Sequence, residues 1–427
     1  MKFEAAFGTG TVAFEPPRGL DVEAPATPAP PEEAAAEAVR RALAAPSGSP
    51  PLEIRAKGTA DAVIVVPDAT RAFPTAEALP LVLDALEKAG VPPAKVTVLA
   101  ALGLHRALSP EERAAVLGAA AARGVRWAEH DPRGPMRDLG AGPLGAPLRV
   151  NETVAAAAFV LSFGVVEPHQ LAGFSGGWKT VGIGCAGEET IAFTHSPRFL
   201  DHPRCRPGLV EGNPFLDVVK ENARRGGLRF ALNVVPGIGR GIVAAAAGDP
   251  GVVHRLLATR ARGTFALPVK SPADVAVAGV GAPKDANLYQ ASRAATNLVL
   301  GPLEAVKPGG TIVVAAPCPE GTGRGTAEER FAASLRRGAA AVLADRERAF
   351  LGGEQRAWAV ARVLKDRRIV IAGSSIPAAD LAAMGFGAAG SVDEALAAAV
   401  AAGARRLLVV PRALRALPVP AGGGARP

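Results

Sequence analysis

Two histidines and a lysine lie on one glycine-rich segment, residues 164–196, and these residue types at this spacing could do chemistry. His169, Lys179 and His195 follow one another at intervals of ten and sixteen residues, and the whole chain contains six histidines. Glycines let the backbone approach a ligand closely, and consecutive N–H groups can then surround an anion. A lysine ammonium near histidines favours neutral imidazole, the form that acts as a base or a metal ligand. The segment therefore indicates an acid–base site with an anion cradle, whose residues are Ser175, Gly176 and Gly177.

This cradle is not a nucleotide-binding P-loop, because the G-x-x-x-x-G-K-[ST] spacing is absent. The alternative is a glycine-rich surface loop on which the histidines are incidental. Residues outside the segment favour the functional interpretation.

Polar loops follow three apolar runs, residues 62–66, 96–100 and 158–163, which read as buried strands. A helix predicted at 75–89 joins the first two runs into a βαβ unit. Parallel α/β sheets bind ligands just outside the carboxyl ends of their strands, so we expect the loop residues to lie at the site. The candidates after the first two runs are Asp68, Thr70, Arg71, His105 and Arg106.

The loop that carries His105 is predicted to end where the next helix begins. Ser109 and Glu112 form a capping-box pattern with Pro110 at the first helical position, which predicts a helix from residue 110. His130, His202 and His254 lie in polar turn or helix-surface contexts, and we expect them to be exposed.

From residue 268 the strand pattern starts again, with apolar runs at 275–280, 311–315, 368–372 and 406–410 separated by helices. The chain is therefore predicted to fold as two α/β domains with largely parallel sheets and an active-site cleft between them.

The domain boundaries follow from this pattern. Residues 1–267 are predicted to form the N-terminal domain that carries the site, and residues 268–414 the C-terminal domain that closes the cleft. Residues 415–427 are predicted to be a disordered tail, and the proline- and alanine-rich residues 16–51 a peripheral arm with one short helix.

Gln290 and Arg293 lie three residues apart at the start of a predicted helix, which places both side chains on one face, toward the cleft. The alternative is an ordinary exposed helix start.

Composition excludes several classes of protein. The net charge is +8 and the pI about 9.8, but the basic residues are dispersed and the chain has one tyrosine, so a nucleic-acid stacking platform is not expected. Three cysteines without CxxC pairing argue against a disulfide framework. No secretory leader or membrane span is recognised, which predicts a cytoplasmic protein without a membrane partner.

These motifs together resemble the nickel-pincer lactate racemase family, and the resemblance extends over most of the chain. The matching segments are Asp68-Ala-Thr-Arg71, Gly103-Leu-His105-Arg106, His169-Gln-Leu-Ala-Gly-Phe-Ser-Gly-Gly-Trp-Lys179, Thr194-His195-Ser196 and Asn287-Leu-Tyr-Gln290-Ala-Ser-Arg293.

The resemblance implies an isomerase, a racemase or epimerase of a small 2-hydroxy acid that transfers hydride reversibly to a nickel-pincer nucleotide. This cofactor is a nickel ion held by a sulfur-carbon-sulfur pincer on a pyridinium mononucleotide derived from nicotinic acid. The resemblance implies that Lys179 can carry it covalently, that His195 ligates nickel, and that His105 and His169 alternate as acid and base. Enzymes of cofactor synthesis would be partners, and the remaining cofactor-binding candidates are Asp68, Thr70, Arg71, Ser175, Gly176 and Gly177.

The substrate is the least constrained part of this interpretation. Arg293 stands where lactate racemases proper have a lysine, and the two cations differ in geometry and reach. Because several arginines are expected to face one cleft, we expect a larger or more polar acid than lactate, such as malate or a sugar acid. The candidate substrate-binding residues are Arg71, Arg106, Gln290, Arg293 and Trp358.

Two other functions fit the same residues. A zinc hydrolase could use His105, His169 and His195 with a water molecule as the fourth ligand. A non-catalytic binder of a phosphorylated metabolite would need only the cradle. The oligomeric state does not follow from the sequence.

Overall fold

The computed structural model describes residues 1–68, 71, 73–237, 239, 241–346 and 350–422. Its chain forms two compact units. The N-terminal unit consists of Ala29–Thr194 and Val210–Thr264. The C-terminal unit consists of Met1–Pro28, His195–Leu209 and the chain from Phe265 onward.

The strands are β1 (Phe3–Phe7), β2 (Gly10–Phe14), β3 (Asp21–Glu23), β4 (Ala62–Pro67), β5 (Val96–Ala101), β6 (Arg126–Glu129), β7 (Met136–Ala141), β8 (Pro147–Asn151), β9 (Val160–Val165), β10 (Pro168–His169), β11 (Gly173–Phe174), β12 (Leu228–Pro236), β13 (Ile242–Gly248), β14 (Ala266–Val269), β15 (Ala273–Gly279), β16 (Val306–Ala315), β17 (Arg368–Ala372), β18 (Gly387–Ala389), β19 (Arg406–Val410) and β20 (Leu417–Pro420).

The helices are α1 (Ala35–Ala44), α2 (Leu52–Arg55), α3 (Thr75–Lys88), α4 (Pro110–Leu117), α5 (Glu152–Ala156), α6 (Lys179–Gly182), α7 (Glu188–Thr194), α8 (Pro197–Leu200), α9 (Pro214–Arg225), α10 (Pro250–Phe265), α11 (Leu288–Ala291), α12 (Arg293–Val299), α13 (Thr326–Arg336), α14 (Ala339–Ala344), α15 (Glu354–Leu364), α16 (Ala378–Ala383) and α17 (Val392–Ala401). Short 3₁₀ helices occur at Pro93–Lys95, Gly118–Arg123 and Pro143–Gly145. No helix in the described ranges is both long and apolar enough to cross a bilayer.

The main sheet of the N-terminal unit has the strand order β13-β12-β9-β4-β5-β6. Its strands are parallel except β13, which is antiparallel to β12. Every residue of β4, β5 and β9 is buried, as expected for parallel strands covered by helices on both faces. One face packs against α1 and α3, and the other against α6 and its neighbours.

The C-terminal unit contains a second sheet, with the order β18-β17-β16-β15-β19-β3. All of its neighbouring strands are parallel. The chain runs outward from β15 in one direction and returns on its other side with β19, which is the doubly wound arrangement. The prediction of two α/β domains with largely parallel sheets is therefore confirmed.

The predicted boundaries need two corrections. Residues 1–28 and 195–209 were expected in the N-terminal domain but belong to the C-terminal unit. The segment 16–51 is also not a peripheral arm, because β3 joins the C-terminal sheet beside β19 and α1 buries Val39 in the N-terminal core. Neither pairing has a local signal, since each depends on a partner far away in the chain.

The predicted disordered tail needs a further correction. Residues 417–420 form β20, which pairs in parallel with β14, and Leu417 is 1% exposed. The alternation of Leu417 and Val419 with prolines conceals this strand in the sequence. The last residues of the predicted tail, 423–427, lie outside the described part of the chain.

Candidate active site

Three neighbouring strands of the N-terminal sheet deliver the candidate residues from their carboxyl ends. Asp68 follows β4, His105 follows β5 and His169 follows β9, and the sheet order places β9, β4 and β5 side by side. Because these strands are parallel, their loops leave the same edge of the sheet. Thr70, a predicted cofactor-binding residue, lies outside the described residues.

Asp68 orients His105. Nδ1 of His105 lies 2.7 Å from Oδ2 of Asp68, and the Asp68 side chain is 9% exposed whereas that of His105 is 52% exposed. A carboxylate only accepts hydrogen bonds, so Nδ1 carries the proton and Nε2 of neutral His105 keeps its lone pair. The sequence placed Asp68 with the cofactor; the structure pairs it with His105.

His169 uses its Nδ1 in the opposite way to His105, as a hydrogen-bond acceptor. Its Nδ1 accepts hydrogen bonds from the backbone N–H groups of Leu171, at 3.2 Å, and Ala172, at 3.1 Å. Its ring lies near that of Phe215, with centroids 6.3 Å apart and an interplanar angle of 27°. With Nδ1 acting as an acceptor, neutral His169 carries its proton on Nε2.

The glycine-rich loop is fixed at its base by Ser175. Its Oγ donates to the carbonyl of Val165 at 2.7 Å and accepts from the N–H of Glu167 at 3.1 Å. Ser175 is 7% exposed. Its hydroxyl therefore holds the loop onto the end of β9, and a role of Ser175 in binding the cofactor stays a prediction.

Gly176 and Gly177 form the turn that precedes Lys179. Both have positive φ angles, 79° and 55°. A Cβ on Gly177 would lie 2.8 Å from Cβ of His254, so neither the conformation nor the space suits a side chain there.

The turn leaves two buried donors open. Within the described residues the N–H groups of Gly176 and Gly177 donate no hydrogen bond, although both glycines are buried. Lys179, partly exposed, follows at the start of α6 and its N–H donates to the carbonyl of Gly176 at 3.0 Å. Buried backbone donors are nearly always paired, so open ones beside a lysine suit an anionic ligand group.

Two of the histidines expected at the surface are buried. His254 is 2% exposed and its Nε2 lies 3.4 Å from the carbonyl of Phe174, beneath the glycine-rich loop. His130 is 3% exposed and its Nε2 lies 3.1 Å from the carbonyl of Ala186. Burial lowers the pKa of each imidazole to about 4. Both are therefore neutral structural residues, whereas His202 is partly exposed.

The positive charge of Arg106 is balanced by a carboxylate of the same loop and helix start. Its guanidinium makes two hydrogen bonds of 2.7 Å with the carboxylate of Glu112. Hydrogen bonding to Arg106 lowers the pKa of Glu112 to about 2, and Glu112 also closes the predicted capping box with Ser109. The helix start is confirmed, and Arg106 has a carboxylate partner within the protein, while its contact with a substrate stays a prediction. The Arg71 side chain is partly exposed, in a turn where its N–H donates to the carbonyl of Asp68.

In the C-terminal unit, Gln290 and Arg293 contact each other as their spacing predicts. Nη1 of Arg293 donates to Oε1 of Gln290 at 3.4 Å. Asn287 caps the start of α11 by accepting from the N–H of Gln290 at 3.0 Å. The motif therefore presents one amide and one guanidinium from the first turns after β15.

His195 also belongs to the C-terminal unit, in the partly exposed turn between α7 and α8. Asp201, six residues later, accepts hydrogen bonds from Nε1 of Trp358 at 3.0 Å and from Arg346 at 2.9 Å. Trp358 is 0% exposed, so it anchors the segment after His195. The side chain of Trp358 lies in the core of the C-terminal unit, and its contact with a substrate stays a prediction.

The fold is that of a two-domain α/β protein with polar loops at its strand ends, and comparison with known proteins shows which family it belongs to. The sequence-family model of the lactate racemase N-terminal domain matches residues 7–208. The family model of the lactate racemase C-terminal domain matches residues 269–414. A lactate racemase from Thermoanaerobacterium thermosaccharolyticum is 34% identical over 288 residues, 67% of this chain and 66% of that protein. A lactate racemase from Lactiplantibacillus plantarum is 32% identical over 291 residues, 67% of each chain. These alignments thus span about two thirds of the relatives' length.

A solved structure gives the same result over nearly the whole chain. The lactate racemase apoprotein from Thermoanaerobacterium thermosaccharolyticum superposes with a TM-score of 0.87 at 27% identity, covering 98% of this chain and 100% of that one. A Thermotoga maritima protein shares the fold, with a TM-score of 0.67 at 18% identity. The chain belongs to the lactate racemase family, and the curated relatives bear the name of an isomerase.

Proposed function

We propose that this protein is a racemase or epimerase of a 2-hydroxy acid that works with nickel and a pincer nucleotide. The observation that carries the proposal is the pair of opposite tautomers at the ends of β5 and β9, two parallel strands on either side of β4. His105 offers a lone pair at Nε2 and His169 offers an N–H at Nε2. Inversion at C2 needs a group that takes the hydroxyl proton and a group that returns one.

His105 is suited to the first task. When its Nε2 takes the hydroxyl proton, the resulting imidazolium keeps its Nδ1–H on the carboxylate of Asp68. An adjacent carboxylate that accepts from Nδ1 keeps the imidazole ring oriented. Asp68 therefore acts through His105.

His169 is assigned the second task, and to donate its Nε2 proton and remain a neutral imidazole it must also gain a proton on Nδ1. Working as a base in the reverse direction requires a proton on Nδ1, where the N–H groups of Leu171 and Ala172 now point. The ring must leave these two donors before Nε2 can accept. The catalytic cycle thus includes a change in the hydrogen bonding of His169.

The residues of the glycine-rich loop fit the proposed cofactor. The open N–H groups of Gly176 and Gly177 suit an anionic group of the nucleotide, and Lys179 supplies the amine for covalent attachment. His195 would ligate nickel. When bound, the cofactor supplies a group that takes hydride from C2 of the substrate and returns it to the other face.

The substrate carboxylate is assigned to arginine. Arg71 and the Gln290–Arg293 pair remain as candidates, since Arg106 is held by Glu112. A guanidinium grips a carboxylate with two parallel hydrogen bonds, and an arginine in place of lysine changes the reach and shape of that grip. We propose a substrate larger or more polar than lactate.

The competing functions receive less support. A zinc hydrolase would leave Lys179 and the open N–H groups of Gly176 and Gly177 without a role. A binder without catalysis would not need the Asp68–His105 pair.

The test is to produce the protein together with the cofactor-synthesis enzymes, then measure nickel, the absorption spectrum and inversion of single enantiomers. We expect nickel, a chromophore and inversion. His195→Ala should lose nickel while remaining folded, because the residue lies in a turn. Lys179→Ala should lack the mass adduct of the loaded protein. Nickel at the wild-type level in His195→Ala would exclude that ligand, and an unmodified mass with bound nickel would mean a non-covalent cofactor.

A further inference from the structure

Asn233 is a polar residue in the middle of the apolar strand β12, beneath the glycine-rich loop. It is 0% exposed, and neither Nδ2 nor Oδ1 of its amide has a hydrogen-bond partner in the described residues. A buried amide without partners costs free energy, so such a residue in a parallel sheet requires a reason.

The position of Asn233 indicates that reason. In the sheet it is the register partner of Gly164, at the carboxyl end of β9. A Cβ on Gly164 would lie 2.1 Å from Oδ1 of Asn233 and 3.1 Å from Cα of Gly176. A Cβ on Gly176 would lie 3.4 Å from the same Oδ1. The absence of side chains at both glycines therefore brings the amide directly under the turn before Lys179.

The turn contains complementary open groups. The N–H groups of Gly176 and Gly177 donate to no described residue, while Oδ1 of Asn233 accepts from none. Glycines at positive φ can rotate the peptide between them at little steric cost. The rotation exchanges the directions of its N–H and C=O groups and releases the Gly176 carbonyl from its hydrogen bond with the N–H of Lys179. Donor and acceptor thus lie close together without being paired.

We propose that Asn233 is a positioning residue for the loop that carries Lys179. When the loop closes on an anionic ligand, the peptide groups of Gly176 and Gly177 rearrange and the amide of Asn233 pairs with them. The pairing fixes the turn, and with it the amine of Lys179 three residues after Gly176. This inference rests on the proposed cofactor function of the loop.

Asn233→Leu removes the amide and keeps a similar shape. Asn222→Leu is the matched control, because Asn222 is equally buried but its Nδ2 donates to the carbonyls of Arg149, at 3.2 Å, and Gly182, at 3.0 Å. In thermal unfolding without ligand we expect Asn233→Leu to be as stable as wild type or more stable, and Asn222→Leu to be less stable. A loss in Asn233→Leu equal to that of the control would overturn the proposal, since the amide would then be paired in the free protein.

The second measurement is hydrogen exchange of peptides covering residues 173–182, with and without nicotinic acid mononucleotide as the probe. We expect the probe to slow exchange about tenfold in wild type and to have little effect in Asn233→Leu. Equal protection in both proteins would refute the role of Asn233 and leave the assignment of the loop to the cofactor intact. No protection in wild type refutes the assignment of the loop to the cofactor, and the inference with it.

Discussion

The carboxylate of Asp68 holds Nδ1 of His105 at 2.7 Å from a position 37 residues earlier in the chain. This one contact determines which nitrogen of His105 can take a proton. It also separates the two histidines chemically, because Nδ1 of His169 accepts from backbone N–H groups. The chain therefore presents a lone pair on one histidine and an N–H on the other, at the ends of β5 and β9 of the same sheet.

Asp68→Asn should lower kcat by about 10²-fold or more with a smaller change in KM, because an amide can donate to Nδ1 and stabilise the wrong tautomer. The measurement is the initial rate of inversion of a single enantiomer by chiral chromatography. Asp217→Asn, on the exposed face of α9, is the control and should retain wild-type rates. A near-normal kcat in Asp68→Asn would remove the tautomer argument.

His105→Ala and His169→Ala should each lower turnover by about 10²-fold or more, starting from either enantiomer. Since two enantiomers have equal free energies, kcat/KM must fall by the same factor in both directions. His202→Ala, at a partly exposed position, serves as the control. Rapid racemisation by either catalytic variant would contradict the use of two histidines.

Arg293→Lys should shift the substrate preference toward lactate, because the ammonium cannot reproduce the two parallel hydrogen bonds of a guanidinium. The nickel-loaded enzyme and variant are compared on lactate, malate, 2-hydroxyglutarate and an aldonate. Arg106→Ala should leave the order of kcat/KM unchanged, since Arg106 is paired with Glu112. An unchanged order in Arg293→Lys, or lactate as the best substrate of wild type, would show that Arg293 does not select the acid.

The buried histidines should make the fold sensitive to acid. Burial lowers the pKa of His254 from 6.5 to about 4, so between these values the unfolded chain binds a proton that the native chain does not. Stability is therefore complete above pH 6.5 and is lost as the pH falls toward 4, by up to about 1.4 kcal/mol per pH unit.

His254→Gln should show a weaker dependence of the free energy of unfolding on pH in this window, measured by urea unfolding at pH 7 and pH 5. His202→Gln is the control, because the side chain it replaces is partly exposed. An identical slope in wild type and His254→Gln would mean that His254 is protonated in the native protein.

Several features of the fold and site followed from the sequence because their causes are local. Every residue of β4 is apolar, as expected for a parallel strand that helices cover on both faces. The polar turn after it marks the end of the strand. The capping box at Ser109 and the shared face of Gln290 and Arg293 depend on residues three positions apart. Such short-range patterns also placed His105 and His169 at the ends of parallel strands.

Other features depended on partners that only the tertiary structure brings together. Nε1 of Trp358 donates a hydrogen bond to Asp201, which lies 157 residues away in the chain, and no local pattern indicates this contact. The burial of His254 under the glycine-rich loop has the same origin, since a polar helix position does not reveal what packs on it. The sequence determined which residue types leave the strand ends. Only the folded chain decided which nitrogen each histidine presents, because a tautomer is selected by the groups that its ring contacts.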